Sequence, residues 1–342
     1  MIRILIADDS ELTRVVLRDL LSQDASLEIA GEVCDGLAAV EQTAKLKPDL
    51  VIMDVMMPRM GGLEAVAEIM AATPTPILML SANTDPHDSR GAFAAIKLGA
   101  LDVMPKPSGV VTEAFSQIAG QLIAKVKSLS RIQVIHHYRV QRSKVEKVPV
   151  CLPAGPRRIL AIGASTGGPK AVMQILQELP KNLPAAVLIV QHIADGFAPG
   201  FADWLDREST LSVRLARSGD KLQAGTVLVA PNSGHLTVQS NRVVLDDSAP
   251  LHNCRPAVDA LFNSLARQEL AAETVALLLT GMGTDGADGL GRLQERGAYT
   301  IAQDEVSSAI FGMPKAAIER GAATQVLPLE QVAEVVCRLF AR

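Results

Sequence analysis

The sequence predicts two consecutive α/β domains, each built on a mostly parallel sheet. Three observations carry this. Short apolar runs of strand length alternate with helical patterns along most of the 342-residue chain, the signature of βαβ units. The alternation lapses once, between about residues 125 and 155. There Pro149, Pro153 and Pro156 break any helix, and Lys125, Lys127, Arg131, Arg139, Arg142, Lys144 and Lys147 make the segment basic. Polar residues with chemical potential fall just after the apolar runs, where doubly wound sheets bind their ligands. The expected domains are therefore residues 1–125 and 156–342, with a linker at 126–155.

In the first domain, strands are expected over Ile2–Ala7, Leu27–Val33, Leu50–Met53, Ile77–Leu80 and Leu101–Val103. Helical patterns cover Leu12–Leu21, Leu37–Leu46, Gly62–Met70, Ser89–Leu98 and Val111–Lys127. Asp8 and Asp9 follow the first strand, Asp54 the third, Ser81 the fourth and Lys106 the fifth. A single Asp after a strand is an ordinary helix N-cap. Three together repel unless a hard cation joins them, and Mg²⁺ takes one or two carboxylates with waters and phosphate oxygens. An Asp beside that ion can attack a phosphoryl donor. A hydroxyl and an ammonium can then hold the phosphoryl oxygens.

These positions resemble the response-regulator receiver domain over roughly residues 1–125. The likeness rests on Asp8-Asp9, Asp54, the Met56-Met57-Pro58-x-Met60-Gly61-Gly62 turn, Ser81-Ala82 and Lys106-Pro107. It implies that Asp54 is the phosphoacceptor. It implies that Asp9, Asp54 and the Met56 carbonyl hold Mg²⁺, with Asp8 acting through water, and that Ser81 and Lys106 contact the phosphoryl group. It also allows a cis bond at Lys106–Pro107. Val103 departs from the aromatic residue that the family often carries three positions before the lysine, so the usual hydroxyl–aromatic coupling is expected to be weak.

The second domain opens on Ile159–Ile162, a buried-strand pattern that runs into Gly163-Ala-Ser165-Thr166-Gly167-Gly168-Pro169. Glycines flank Ser165, and Pro169 suits a first helical turn. This geometry presents a hydroxyl beside helix N–H groups, and by itself it serves phosphate binding equally well. Two further apolar runs decide between these uses. Ala185–Val190 is followed by Gln191-His192, and Val275–Leu279 by Thr280-Gly281-Met282-Gly283-Thr284-Asp285-Gly286. A serine hydroxyl needs a base, and the base needs a carboxylate to fix its tautomer. The third need, an oxyanion hole, points to the Thr166 N–H and to Met282. His235 and His252 compete as the base, and Asp288 as the acid. The chain order Ser, His, Asp differs from the Ser, Asp, His of α/β-hydrolases. Val227–Ala230 completes the parallel set, Pro256–Ala266 and Gly286–Arg296 read as helices, and Val238–Leu245 reads as a hairpin on the sheet's antiparallel edge.

Residues 157–342 resemble the catalytic domain of the CheB family, chemotaxis protein-glutamate methylesterases. The motifs are Gly163-Ala-Ser165-Thr166-Gly167-Gly168, Gln191-His192, Arg255-Pro256-x-Val258-Asp259, Leu279 to Gly286, Ala302-Gln303 and Phe311-Gly312-Met313-Pro314. The likeness implies a Rossmann-like serine-hydrolase domain with a triad of Ser165, His192 and Asp285. It implies hydrolysis of glutamate γ-methyl esters and deamidation of glutamines on methyl-accepting chemoreceptors, with a chemotaxis histidine kinase as phosphodonor. It further implies that the unphosphorylated receiver covers the catalytic face and that phosphorylation of Asp54 relieves the block. No cofactor is expected for hydrolysis.

Bulk properties agree with this reading. A formal net charge of −4 gives no electrostatic reason to expect nucleic acid or an anionic membrane as partner. No apolar run reaches membrane-spanning length. Cys34, Cys151, Cys254 and Cys337 are scattered without a C-x-x-C pair, which predicts a reduced, cytoplasmic protein. The alternative is a response regulator with a DNA- or protein-binding output. It lacks a basic recognition helix after the linker.

Overall fold

The computed structural model describes residues 1–81, 86–107, 113–132, 134, 157–267 and 270–341. The chain divides into two compact units, Met1–Lys147 and Val148–Arg342.

The first unit runs β1 (Ile2–Ala7), α1 (Glu11–Leu21), β2 (Leu27–Val33), α2 (Gly36–Leu46), β3 (Leu50–Asp54), α3 (Gly62–Ala72), β4 (Ile77–Ser81), α4 (Pro86–Leu98), β5 (Asp102–Pro105) and α5 (Glu113–Leu129). Its five strands are all parallel, in the order β2-β1-β3-β4-β5. β3 and β4 are buried along their whole length because helices cover both faces of a parallel sheet. Ser10 and Asp35 cap α1 and α2 through their side-chain oxygens. α5 continues to Leu129, past the expected domain end at 125, because Val126 and Leu129 are buried in the core with Leu122. The rest of the expected linker, from residue 135 on, lies outside the described residues. Among the described residues the one cis peptide bond is Arg255–Pro256, so Lys106–Pro107 is not cis.

The second unit runs β6 (Ile159–Ala164), α6 (Gly168–Glu178), β7 (Ala186–Gln191), α7 (Ala198–Glu208), β8 (Ser212–Leu215), β9 (Thr226–Val229), β10 (His235–Gln239), β11 (Arg242–Asp246), α8 (Val258–Arg267), β12 (Thr274–Leu278), α9 (Ala287–Glu295), β13 (Tyr299–Gln303), α10 (Met313–Glu319), β14 (Gln325–Leu327) and α11 (Leu329–Phe340). Seven parallel strands form one sheet in the order β14-β13-β12-β6-β7-β9-β8. The chain builds outward from β6 to one side through β7, then returns to add β12 on the other. β6 therefore stands at the switch point where such sheets open a crevice for ligands.

The expected hairpin is present but does not edge this sheet. β10 and β11 form a separate two-stranded sheet, and β11 is bridged at Arg242 to Lys221. Ser240 and Asn241 turn between them with φ of 49° and 59°, the left-handed pair a two-residue hairpin favours. The reason for the departure is burial. Leu236, Val238 and Val243 join Leu261, Phe262 and Leu265 of α8 in one core, and Ser264 Oγ accepts the Val238 N–H at 2.9 Å.

Candidate active site

β6 and β7 are in register up to Ala164 and Gln191. Ser165 and His192 therefore leave the sheet side by side, and the His192 N–H donates to the Ala164 carbonyl at 2.9 Å. The Ser165 backbone is fixed from three directions. Its N–H donates to Thr280 O at 3.0 Å, and its carbonyl accepts from the Gly168 N–H at 2.8 Å and from Gln191 Nε2 at 2.7 Å. Gly167 turns the chain with φ 77°, where an added Cβ would meet Ala309 Cβ at 2.5 Å.

Asp285 arrives on the loop after β12, the strand on the other side of β6. Its carboxylate is buried and held by the first amides of α8. Val258 N–H donates to Oδ2 at 2.7 Å and Asp259 N–H to Oδ1 at 2.9 Å. Carboxylate charge at a helix N-terminus is stabilised by those donors and by the helix dipole. The His192 Nε2–H donates to the same Oδ2 at 2.8 Å. Burial pushes the Asp285 pKa up, but the imidazole and the two amides outweigh it and hold it below the ordinary value. Burial also opposes charge on His192. Asp285 and the nearby Cys254 sulfur outweigh that too and raise it to about 9.

The other ring nitrogen, Nδ1, faces Cys254 Sγ at 3.8 Å. Among the described residues no hydrogen bond joins Ser165 Oγ to His192. The backbone N–H groups of Thr166 and Met282 donate to no acceptor among the described residues. Gly281, just before Met282, lies against the serine: a Cβ there would sit 2.6 Å from Ser165 Cβ. Unspent amides beside a hydroxyl can stabilise a developing oxyanion.

The competing residues lie in other arrangements. His235 is fully buried, accepting the Ala257 N–H on Nδ1 at 3.0 Å and facing Ala249 O through Nε2 at 3.2 Å. His252 pairs with Asp259 at 2.8 Å. Asp288 forms an exposed ion pair with Arg320 at 2.9 Å. Several supporting residues fall in the motifs that carry the resemblance, but the sequence assigns them no role. Gln303 accepts the Thr280 N–H through Oε1 at 2.8 Å, and Thr280 Oγ1 donates to Thr166 O at 3.0 Å. Asp259 Oδ1 accepts the Gly289 N–H at 2.7 Å, tying α8 to α9.

In the first unit Asp8, Asp9 and Asp54 each offer a carboxylate oxygen, all within 4.8 Å of one another. Lys106 Nζ bridges Asp8 and Asp54, at 2.8 Å from each. Burial raises the Asp54 pKa despite the ammonium beside it. Burial opposes charge on Lys106, yet the two carboxylates raise its pKa above the ordinary value. Ser81 is buried at the end of β4, and its carbonyl accepts the Lys106 N–H at 2.9 Å. Met56 exposes its side chain, so only its backbone carbonyl is a candidate ligand. A set of hard oxygen donors of this kind fits Mg²⁺.

The fold and sites together define a two-domain response regulator whose output half is a doubly wound α/β domain rather than a DNA-reading helical one. Comparisons identify both halves. The sequence model of the CheB methylesterase family matches residues 160–336, and that of the response regulator receiver domain matches residues 4–113. The chain is 44% identical over 331 residues to an Anaeromyxobacter dehalogenans protein-glutamate methylesterase/protein-glutamine glutaminase, covering 97% of this chain and 95% of that one. It is 40% identical to the Pyrococcus abyssi protein of the same name, covering 98% and 93%. The crystal structure of the Thermotoga maritima CheB methylesterase catalytic domain matches with a TM-score of 0.52 at 39% identity, covering 54% of this chain and all of that one. The chain belongs to the CheB methylesterase family.

Proposed function

We propose that this chain is a phosphorylation-regulated hydrolase of a chemosensory pathway. It demethylates glutamate γ-methyl esters on chemoreceptors and deamidates particular receptor glutamines. Ser165 is the nucleophile, His192 the base and Asp285 the acid. The observation that carries the reading is the His192–Asp285 pair at 2.8 Å, its carboxylate buried, with His192 just after β7 and Asp285 on the loop after β12, the two strands that flank β6 and Ser165.

The chemistry follows from the free groups. Asp285 occupies Nε2, so Nδ1 is the nitrogen that takes the Ser165 proton as Oγ attacks the glutamyl γ-carbonyl. A side-chain rotation brings the hydroxyl into reach, since catalytic hydrogen bonds tighten on substrate binding. The Thr166 and Met282 amides hold the oxyanion. The C–O bond to methanol breaks, or the C–N bond to ammonia in deamidation, and His192 returns its proton to the leaving group. Water then gives a proton to His192 as its oxygen attacks the acyl-enzyme, releasing glutamate and restoring Ser165.

Asp54 accepts a phosphoryl group from a histidine kinase in the cytoplasm. Asp8, Asp9, Asp54 and the Met56 carbonyl would hold Mg²⁺, which when bound neutralises charge on the carboxylates and phosphoryl oxygens. Ser81 and Lys106 take the remaining phosphoryl oxygens. The added charge biases a two-state element toward higher esterase activity. Residues 1–125 supply this switch and residues 156–342 the hydrolase. The test is methanol release from methylated receptor, with and without a small phosphodonor. Ser165→Ala is expected to lose about a thousandfold or more in rate, and near-normal release by that variant refutes the assignment.

A further inference from the structure

The proposed reaction leaves unexplained the thiol that faces the free edge of the base. Cys254 is half-buried on a tight turn, with Leu251 N–H donating to Cys254 O at 3.1 Å and Cys254 N–H to Leu251 O at 2.8 Å. The turn aims Sγ at His192 Nδ1, 3.8 Å away. His192, Cys254 and Asp285 each offer one ligand atom, all within 4.8 Å of one another.

We propose that His192 and Cys254 form a soft divalent-cation site that takes Zn²⁺ and shuts off hydrolysis. Bonds of about 2.0–2.1 Å to an imidazole nitrogen and about 2.3 Å to a thiolate put the two donors roughly 3.6 Å apart in a tetrahedral site. The observed 3.8 Å accepts the ion with a shift of tenths of an ångström. The far side of the ring is also arranged as metal sites require. Asp285 accepts the Nε2–H, which leaves the Nδ1 lone pair for the ion, the carboxylate–histidine–metal order. Binding forms a Zn–N and a Zn–S bond, and two protons leave to solvent at neutral pH: the Cys254 thiol proton and the Nδ1 proton of the His192 imidazolium. No oxidant or reductant enters, and water completes the coordination.

Donor softness separates this site from the carboxylate pocket of the first unit. A thiolate and an imidazole select Zn²⁺ over Mg²⁺, whereas Asp8, Asp9 and Asp54 present only oxygen. The inhibitory consequence rests on the esterase reading above: an ion on Nδ1 holds the lone pair that must take the Ser165 proton. Zn²⁺ occupancy and turnover therefore exclude each other. The metal site itself does not depend on that reading.

The test uses two readouts on the full chain with excess Mg²⁺ present. The first is Co²⁺ titration, followed by the near-ultraviolet thiolate-to-cobalt charge-transfer band. The wild-type chain is expected to show the band and lose it when Zn²⁺ is added. Cys254→Ser and His192→Gln are expected to lose it, and Ser165→Ala to keep it. The second is methanol release against Zn²⁺, each variant scored against its own rate in EDTA. Cys254→Ser should need at least about tenfold more Zn²⁺ for half inhibition, the scale on which metal sites lose affinity when their shell is damaged. No band in the wild-type chain, or an equal band in Cys254→Ser, overturns the site. A Cys254-dependent band alongside Zn²⁺-insensitive turnover overturns the block. A Cys254-dependent band in a chain that releases no methanol upholds the metal site and refutes the esterase reading instead.

Discussion

His192 Nε2 and Asp285 Oδ2 lie 2.8 Å apart, and the same oxygen also accepts the Val258 N–H at 2.7 Å. The imidazolium is thus balanced by a carboxylate that the start of α8 holds ionised. This balance sets the pH behaviour of both activity and stability.

At neutral pH a His192 raised to about 9 is mostly protonated. With His192 as the proposed base, turnover needs its free form, so the methanol-release rate in EDTA should climb as pH rises toward 9. Asp285→Asn should move that climb to lower pH while cutting the maximal rate by about 10³–10⁴-fold. Cys254→Ala should also move it down, since the thiol adds to the raising. A wild-type profile flat between pH 6 and 9 contradicts this.

The same shift governs unfolding. His192 binds its proton more tightly folded than unfolded. Its contribution is complete below the unfolded value of 6.5 and disappears as pH rises through about 9. Asp285 is shifted down, so its contribution is present above its unfolded 3.8 and disappears as pH falls through its lowered folded value. The pair is therefore intact from the mildly acidic range up to pH 6.5. Thermal unfolding of His192→Gln against wild type should show the largest gap in that range and a smaller one at pH 9.5. A gap that widens on the alkaline side contradicts the assignment.

Gly281 packs its backbone against the serine. An added Cβ would fall 2.4 Å from Met313 Sδ and 2.6 Å from Ser165 Cβ. The sulfur sits on a flexible chain and can yield, but Ser165 is pinned by three backbone contacts. Gly281→Ala is expected to cost about 1–3 kcal/mol of stability, the usual range for overpacking, and to lower kcat by displacing the hydroxyl. Calorimetry with a burst measurement of acyl-enzyme checks both. Wild-type kcat in a destabilised variant would show that Ser165 tolerates the push.

Much of this was legible from the chain. Ile159–Ile162, Ala185–Val190 and Val275–Leu279 each read as a short buried strand, and parallel strands deliver the next residue to one edge. That logic predicts Ser165, His192 and Asp285 at one sheet edge. The receiver pocket followed by the same logic from Asp8, Asp54 and Lys106. What escaped depends on packing between segments distant in sequence. Cys254 meets His192 only because the turn before α8 folds over the end of β7. Asp259 lies one residue past the Val258 amide that holds Asp285, and its own amide and carboxylate act in different contacts. Alternation predicts the hairpin but does not say which core its apolar face enters; α8 captures it. Strands as short as β14, Gln325–Leu327, carry too few residues for a periodic signal.

Lys106 bridges two buried carboxylates, 2.8 Å from Asp8 and from Asp54, with its own side chain only 11% exposed. Removing it leaves both acids without their ion pair, with backbone donors such as the Ser10 N–H on Asp8 remaining. Lys106→Met should therefore destabilise the first unit by about 3–5 kcal/mol at pH 7.5, the scale for breaking a buried pair from one side. Asp54 is already raised above its ordinary 3.8 by burial, so its ionisation opposes folding, and loss of the ammonium should raise it further. The deficit should accordingly shrink as pH falls toward 5 and grow as pH rises. Mg²⁺ bound at the same carboxylates would supply positive charge there, so millimolar Mg²⁺ should stabilise the variant more than the wild type. Thermal unfolding at three pH values, with and without Mg²⁺, reads all three effects. A variant equally stable at pH 5 and 7.5 and indifferent to Mg²⁺ would mean that solvent, not Lys106, balances the pocket.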